Sequence, residues 1–291
     1  MTLANVKAVR RERAAGRHAS VLISLAVTLA SLPIGCSRGK ASVTLAGSTS
    51  VEPFAERLAE LYMAGHRGIE INVQGGGSSA GIRAVQNRIC QIGMSSRELH
   101  ADEKGLTEIP IAHDAIALIV NARNPVRWIT LEQARDVFAG RIRNWKKLGG
   151  PDRAITPITR EEGSGTRASF EEKVMTAGMP GGKGTGQEAA PFAPDALVQD
   201  SNGAVREVVA SDPAAIGYIS FGLIDARVRA LGLDGVEPGE KTIKTGRYSI
   251  VREFLFLTND VPSATTKDFI DYVLSPDGQK ALVEEGLISI K

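Results

Sequence analysis

Four times along the chain an apolar run breaks into small hydroxyl residues at its C-terminal end, three times with glycine among them, and this recurrent turn constrains the fold more than any other feature. Residues 42–46 read as a strand that ends in Gly47-Ser48-Thr49-Ser50, ahead of a helix over 54–64 with Phe54, Leu58 and Leu61 on one face. Residues 69–74 read as a second strand, running into Gly75-Gly76-Gly77-Ser78-Ser79-Ala80-Gly81 and a helix over 82–87. A third strand within 91–97 ends in Ser95-Ser96-Arg97. A fourth, 154–159, delivers Arg160 into Glu161-Glu162-Gly163-Ser164-Gly165-Thr166-Arg167 and a helix over 168–175.

The remainder continues the alternation. A short polar helix is expected at 102–106, an apolar strand within 109–121 and a Thr130-capped helix over 130–138. Residues 141–151 read as a loop, and Gly178–Pro194, rich in Gly and Pro, as the least ordered stretch. Ser201-Asn202-Gly203 caps a helix over 204–210; strands follow at 215–219 and 248–257, then helices at 266–274 and 279–285. His113 beside Asp114 reads as a structural pair. Strands alternating with helices over 291 residues predict an α/β protein of about two domains with parallel sheets.

Chemistry concentrates at the four strand ends, the edge where open α/β sheets bind ligands. The donors there are hydroxyls, backbone N–H groups and guanidinium. Gly163 and Gly165 let the backbone turn sharply and approach a ligand closely, while Ser164 or Thr166 caps the helix that follows. A helix N-terminus, two hydroxyls and an arginine fork suit a tetrahedral oxyanion. The plainer alternative is an ordinary capped helix after a glycine turn. No Cys/His metal cluster is present, and aromatics at 5% are too few for a stacking surface, so neither a metal nor a cofactor is expected. Gly77-Ser78-Ser79-Ala80-Gly81 fits the G-x-S-x-G nucleophile elbow, but the histidines after Ser79 are His100 and His113, too early for the base of that triad. The Gly-Lys and Gly-Thr pairs of 178–194 lack P-loop spacing. No catalytic residue is expected.

The first 35 residues form a leader. Lys7, Arg10, Arg11, Arg13 and Arg17 precede an apolar run from Val21 to Ile34, too short for a membrane span of about 20 residues. Leu32-Pro33-Ile34-Gly35-Cys36 resembles a bacterial lipobox, which predicts lipidation at Cys36 and a polar tether over 36–41; plain cleavage nearby is the alternative. Lipidation would leave Cys90 unpaired. The chain's formal charge is +2, and residues 1–35 hold five Lys/Arg and one Glu, so the remainder is −2. No basic field for nucleic acid is left after processing, and an anion site must work through local donors.

Five motifs in order resemble the phosphate-binding substrate-binding proteins of bacterial phosphate ABC transporters, the PstS-like family. They are GSTSVEP at Gly47–Pro53, GGGSSAGI at Gly75–Ile82, IGMSSREL at Ile92–Leu99, REEGSGTR at Arg160–Arg167 and AIGYIS at Ala215–Ser220. The resemblance runs from about Val43 to the C-terminus. It implies a two-lobed periplasmic binding protein of type II, each lobe a mainly parallel sheet flanked by helices. One lobe would be 42–120 plus 247–291 and the other 121–246, with hinge crossings near Val120-Asn121 and Thr245–Arg247. Phosphate would sit between them, held by Ser48, Thr49, Ser50, Ser78, Ser96 and Arg97 from one lobe and Arg160, Ser164, Gly165 and Thr166 from the other. The protein would be an extracytoplasmic, lipid-anchored monomer that hands phosphate to inner-membrane permease subunits. Alternatives are another tetrahedral oxyanion (sulfate, molybdate, tungstate) or a phosphate sensor. Gln91 stands where the family run usually opens with Asp, and Ser96 where some members place a carboxylate. The acceptor for the phosphate proton is therefore open among a serine oxygen, Asp114 and Glu161.

Overall fold

The computed structural model describes residues 41–177 and 189–291. Their elements run in the order β1 (Ala41–Gly47), α1 (Glu52–Gly65), β2 (Ile69–Gly75), α2 (Ser78–Gln86), β3 (Ile92–Ser95), β4 (Thr107–Asn121), β5 (Trp128–Ile129), α3 (Leu131–Phe138), β6 (Thr156–Arg160), α4 (Gly165–Phe170), β7 (Leu197–Gln199), α5 (Asn202–Ser211), β8 (Ala215–Ser220), β9 (Val228–Ala230), β10 (Gly232–Leu233), α6 (Glu240–Lys244), β11 (Val251–Thr258), α7 (Ala264–Val273) and α8 (Pro276–Glu284). α4 continues as a π-helical turn over Glu171–Met175.

The principal sheet has nine strands among the described residues, in the order β2-β1-β3-β11-β4-β8-β6-β7, with β9 also on β4. Its outer pairs β1–β2, β1–β3, β6–β7 and β6–β8 are parallel, as the alternation predicts. Its middle is antiparallel: β11 pairs with β3 and β4, and β4 with β8 and β9. The sheet is mixed because β4 and β11 are long strands that run through it rather than returning by crossover helices.

Two large hydrophobic cores flank this sheet. The first joins Val43, Leu45, Phe54, Leu58, Met94, Phe254, Phe256, Phe269 and Leu282; the apolar stripe of α1 (Phe54, Ala55, Leu58, Ala59, Tyr62) enters it. The second joins Ile116, Leu118, Val120, Phe138, Trp145, Phe170, Tyr218, Tyr248 and Ile250. β4 serves both. Its residues 115–120 are wholly buried, as a continuous apolar run in a covered sheet should be. On β4, Ile111 and Ala112 belong to the first core, Ala115 and Ile116 to the second. On the returning chain, Ile250 belongs to the second and Phe254 to the first. The core changes at Asp114 and at Arg252, N-terminal to Val120-Asn121 and C-terminal to Thr245–Arg247.

Three local expectations need correction. Residues 102–106 form turns, not a helix. Glu103 instead folds back to accept from both Nη atoms of Arg97, at 2.6 and 2.7 Å, and from the His100 N–H at 2.8 Å. Those bonds outweigh one helical turn, whose nucleation is unfavourable. His113 and Asp114 are not a pair. Successive strand residues face opposite ways, so Asp114 meets Arg252 while His113 lies 4.0 Å from Glu253. Within the stretch read as least ordered, 178–188 lie outside the described residues, but Ala190 and Ala193 are buried and bonded through their N–H groups to Met175 and Phe138. The leader and Cys36 also lie outside the described residues.

Two predictions follow from this packing. α2 crosses the end of β1 so closely that a Cβ on Gly81 would lie 2.5 Å from the Ala46 carbonyl oxygen and 2.6 Å from Gly47 Cα. Gly81→Ala should cost about 1–3 kcal/mol, read as a lower urea midpoint. Arg97 hydrogen bonds pull the Glu103 carboxyl down to about 2. Its stabilisation is therefore present above the unfolded value near 4.5 and lost as pH falls towards 2. Glu103→Gln, leaving Arg97 uncompensated, should cost about 3 kcal/mol at pH 7 and flatten the acid limb of the stability profile. An unaltered acid limb would contradict this role.

Candidate functional site

Between the two cores the strand ends bring their hydroxyls together. Ser48 Oγ donates to Ser96 Oγ at 2.8 Å, and the Ser96 N–H donates to Ser78 Oγ at 3.1 Å. The Ser50 N–H donates to Ser48 Oγ, and the hydroxyls of Ser50 and Thr166 lie 2.6 Å apart. Ser48, Ser50, Ser78, Ser96 and Thr166 are all at most 2% exposed. Helix capping does not account for the first four. α1 and α2 have Val51 and Gly77 at their N-caps, with no side-chain cap bond. Ser164 is different: it is the N-cap of α4, and its Oγ accepts from the Arg167 N–H. Thr166 is thereby freed to face Ser50.

Arg160, the last residue of β6, is 1% exposed. Its Nη2 donates to Thr49 Oγ1 and to the Asp200 carbonyl, each at 3.0 Å. Nε and Nη2 also bond the Glu161 carboxylate, and Nε the Gln199 carbonyl. Nη1 is buried with no hydrogen-bond partner among the described residues. The backbone ahead of it is fixed from below: the Arg160 N–H donates to Tyr218 Oη, which also bonds Thr159 Oγ1 at 2.8 Å. Tyr218 itself stacks on Phe170 with centroids 3.9 Å apart, and burial pushes its hydroxyl's pKa well up, keeping it a neutral partner.

Further bonds join the turns. The Ser79 N–H donates to the Gly163 carbonyl at 3.1 Å, and Ser169 Oγ to the Ser96 carbonyl at 3.2 Å. Gly165 packs so tightly that a Cβ there would lie 2.2 Å from Ser78 Oγ and 2.6 Å from Ser96 Oγ. Any side chain at 165 would push the serines apart. The N-termini of α1, α2, α4 and α5 lie at this cluster through Ser50, Ser78, Thr166 and Asn202, placing positive dipole ends around it.

Nine of the ten residues singled out from sequence are gathered here: Ser48, Thr49, Ser50, Ser78, Ser96, Arg160, Ser164, Gly165 and Thr166. Arg97 stands aside. Its guanidinium is occupied by Glu103, the Glu98 carbonyl and Ser79 Oγ. Three residues join that the sequence did not single out for the site, Asn202, Arg252 and Ser220, together with Asp114, which it offered as a proton acceptor. Asn202 donates through Nδ2 to Ser50 Oγ at 2.9 Å and accepts from the Ser220 N–H. Arg252 on β11 donates through Nη1 to Thr166 Oγ1 at 2.9 Å and the Ser96 carbonyl at 3.3 Å, and through Nε to Asp114 Oδ2 at 2.9 Å. Ser220 Oγ donates to the other Asp114 oxygen at 2.8 Å. Burial pushes the Asp114 carboxyl up and the Arg252 guanidinium down, each partly offset by the other's charge. The available signal was a lone arginine inside an apolar strand; Asn202 and Ser220 looked like a cap residue and a strand end.

This arrangement converges N–H, hydroxyl and guanidinium donors from many segments on one small volume, while Glu161 and Asp114 are each engaged by an arginine. It fits a compact anion.

The model of the PBP superfamily domain matches residues 35–277. The phosphate-binding protein PstS of Bacillus subtilis strain 168 is 33% identical over 88% of this chain and 83% of its own. That of Borreliella burgdorferi is 31% identical over 86% and 90%. A Clostridium perfringens protein described as a phosphate ABC transporter substrate-binding protein, solved with bound phosphate, superposes with a TM-score of 0.80 at 38% identity, covering 86% of this chain and 100% of that one. An ABC-type phosphate transport receptor from Vibrio cholerae gives 0.69 at 36%, covering 84% and 99%. The mixed α/β fold is that of these binding proteins, and the chain belongs to the PBP superfamily as a member of its PstS family.

Proposed function

We propose that the chain captures inorganic phosphate between two lobes and delivers it to an ABC-type importer, without catalysing a reaction on it. The observation that carries this reading is the pair of cross-core contacts Arg160–Thr49 and Thr166–Ser50, which set the buried Arg160 guanidinium against the half-buried Thr49 hydroxyl and the buried Thr166 and Ser50 hydroxyls against each other. The names of the relatives point to the same ligand. In this reading Ser48, Thr49, Ser50, Ser78 and Ser96 hold the anion from one lobe. Arg160 binds it from the other, with Ser164, Gly165 and Thr166 presenting the N-terminus of α4. Arg160 Nη1 is a donor ready for an anion oxygen. Closure is a rotation about the two strands that change core at Asp114 and Arg252.

Phosphate keeps a proton at neutral pH and sulfate does not, so selectivity needs an acceptor. Both carboxylates near the cluster are engaged by arginine. The serine and threonine oxygens accept as well as donate, while Glu161 and Asp114 keep lone pairs beyond those their arginines use and are acceptors only, so they are the groups that reject a fully ionised anion. Export through residues 1–35 and anchoring at Cys36 complete the proposal. Among the described residues no helix is long and apolar enough to cross a membrane.

Calorimetry should give 1:1 phosphate binding, and Arg160→Ala should weaken it by at least about a hundredfold, the loss of two charge-assisted hydrogen bonds. A hundredfold excess of sulfate or molybdate should leave phosphate binding unchanged; displacement by either would move the ligand to that oxyanion. In an exporting bacterial host, Cys36→Ser should shift the protein from the membrane fraction to the soluble one. Equal partition of both forms would rule out the anchor.

A further inference from the structure

Resting on the anion-binding reading, we propose that Arg252 is a second anion-binding guanidinium of this site and that Asp114 is the residue that positions it. Three observations carry this. Arg252 is 6% exposed, although it lies on a strand whose flanking residues Phe254, Leu255 and Phe256 are core. An arginine is expensive to bury without a task or a partner. Its partner is supplied by strand register: the β4–β11 pairing sets Arg252 directly opposite Asp114. The carboxylate accepts from Nε at 2.9 Å and lies 2.8 Å from Nη2 as an ion pair, Ser220 Oγ holds the other carboxylate oxygen, and the Phe254 ring lies 5.1 Å beneath the guanidinium carbon. The side chain is thus fixed on three sides.

The fourth side faces the hydroxyl cluster. Nη1 reaches Thr166 Oγ1 and the Ser96 carbonyl, joining the first turn of α4 to the end of β3. Thr166 Oγ1 is itself 2.6 Å from Ser50 Oγ, so Arg252 is one bond removed from the centre of the cluster. Threonine and serine hydroxyls turn freely, so an anion oxygen entering between Ser50 and Thr166 takes the donor that Thr166 now receives. Arg160 approaches the same cluster from β6, through Thr49. Two guanidinium groups then oppose one another across the anion. Because Arg252 stands where the chain passes between cores and contacts segments of both, an anion held by it is coupled directly to closure.

The test is calorimetry of the full chain with inorganic phosphate, with melting temperatures measured without ligand. The decisive variant is Arg252→Gln/Asp114→Asn, which removes both buried charges and so leaves neither uncompensated; removing such a pair together is close to neutral for stability. The expected result is an unchanged ligand-free melting temperature with phosphate bound about ten- to a hundredfold more weakly. Arg252→Lys, which keeps the charge without the fork, should retain part of the affinity that Arg252→Gln loses. A structural role alone would lower the ligand-free melting temperature of Arg252→Gln and leave the folded double variant with wild-type phosphate affinity. Wild-type affinity in the double variant, with Arg160→Ala still defective, would overturn the role of Arg252 alone. Failure of the wild-type chain to bind phosphate, sulfate or molybdate would overturn the anion-binding reading and this inference with it.

Discussion

Burial of polar groups where two hydrophobic cores meet is the constraint on which the rest of this molecule depends. Five hydroxyls and two guanidinium groups are almost wholly removed from water there. Each would be destabilising without a partner, by about 1–3 kcal/mol for a neutral group and more for a charge. The fold meets that demand by making partners of residues from different segments. Ser50 needs Thr166 and Asn202; Arg160 needs Thr49 and the carbonyls of Gln199 and Asp200; Arg252 needs Asp114 and Thr166. The same demand explains the small residues around the cluster, since Gly81 and Gly165 are where helices must approach strand ends more closely than a Cβ allows.

Charge is distributed with the same economy. Each arginine of the cluster has a carboxylate on one flank and hydroxyls on the other, so the charge is held in place while a donor edge remains directed at the cluster. The negative charge of the chain beyond residue 35 is no obstacle, because guanidinium groups and helix N-termini act within a few ångströms in a dry site. Aromatic packing finishes the mount. Tyr218 and Phe170 stack under β6 and α4, and Phe254 lies under Arg252.

Much of this was legible in the residues. The four hydroxyl-bearing strand ends, three of them with glycine, are local features, in which backbone freedom and short donors are written within a few positions. Their helices and strands appear close to the expected bounds, and nine of the ten singled-out residues come together. The failures are all non-local. The turn at 102–106 reads as helix until Arg97 is seen to take Glu103. His113 and Asp114 are neighbours in the chain but occupy opposite faces of β4. Ala190 and Ala193, within the Gly- and Pro-rich stretch read as least ordered, are buried because Met175 and Phe138 offer carbonyls to their N–H groups.

The sequence by itself determined the alternation of strand, glycine turn and helix and the concentration of small donors at strand ends, because these depend on period, turn chemistry and composition within short windows. Only the tertiary structure decided that the sheet is mixed, that the Arg97 guanidinium is taken by Glu103, that Asn202, Ser220 and Arg252 belong to the cluster, and that Asp114 enters it as the partner of Arg252. The physical reason is register. Arg252 meets Asp114 across 138 positions of chain because β4 and β11 pair antiparallel with those residues opposite, and shifting either strand by one residue would turn its charge to the other face, away from its partner.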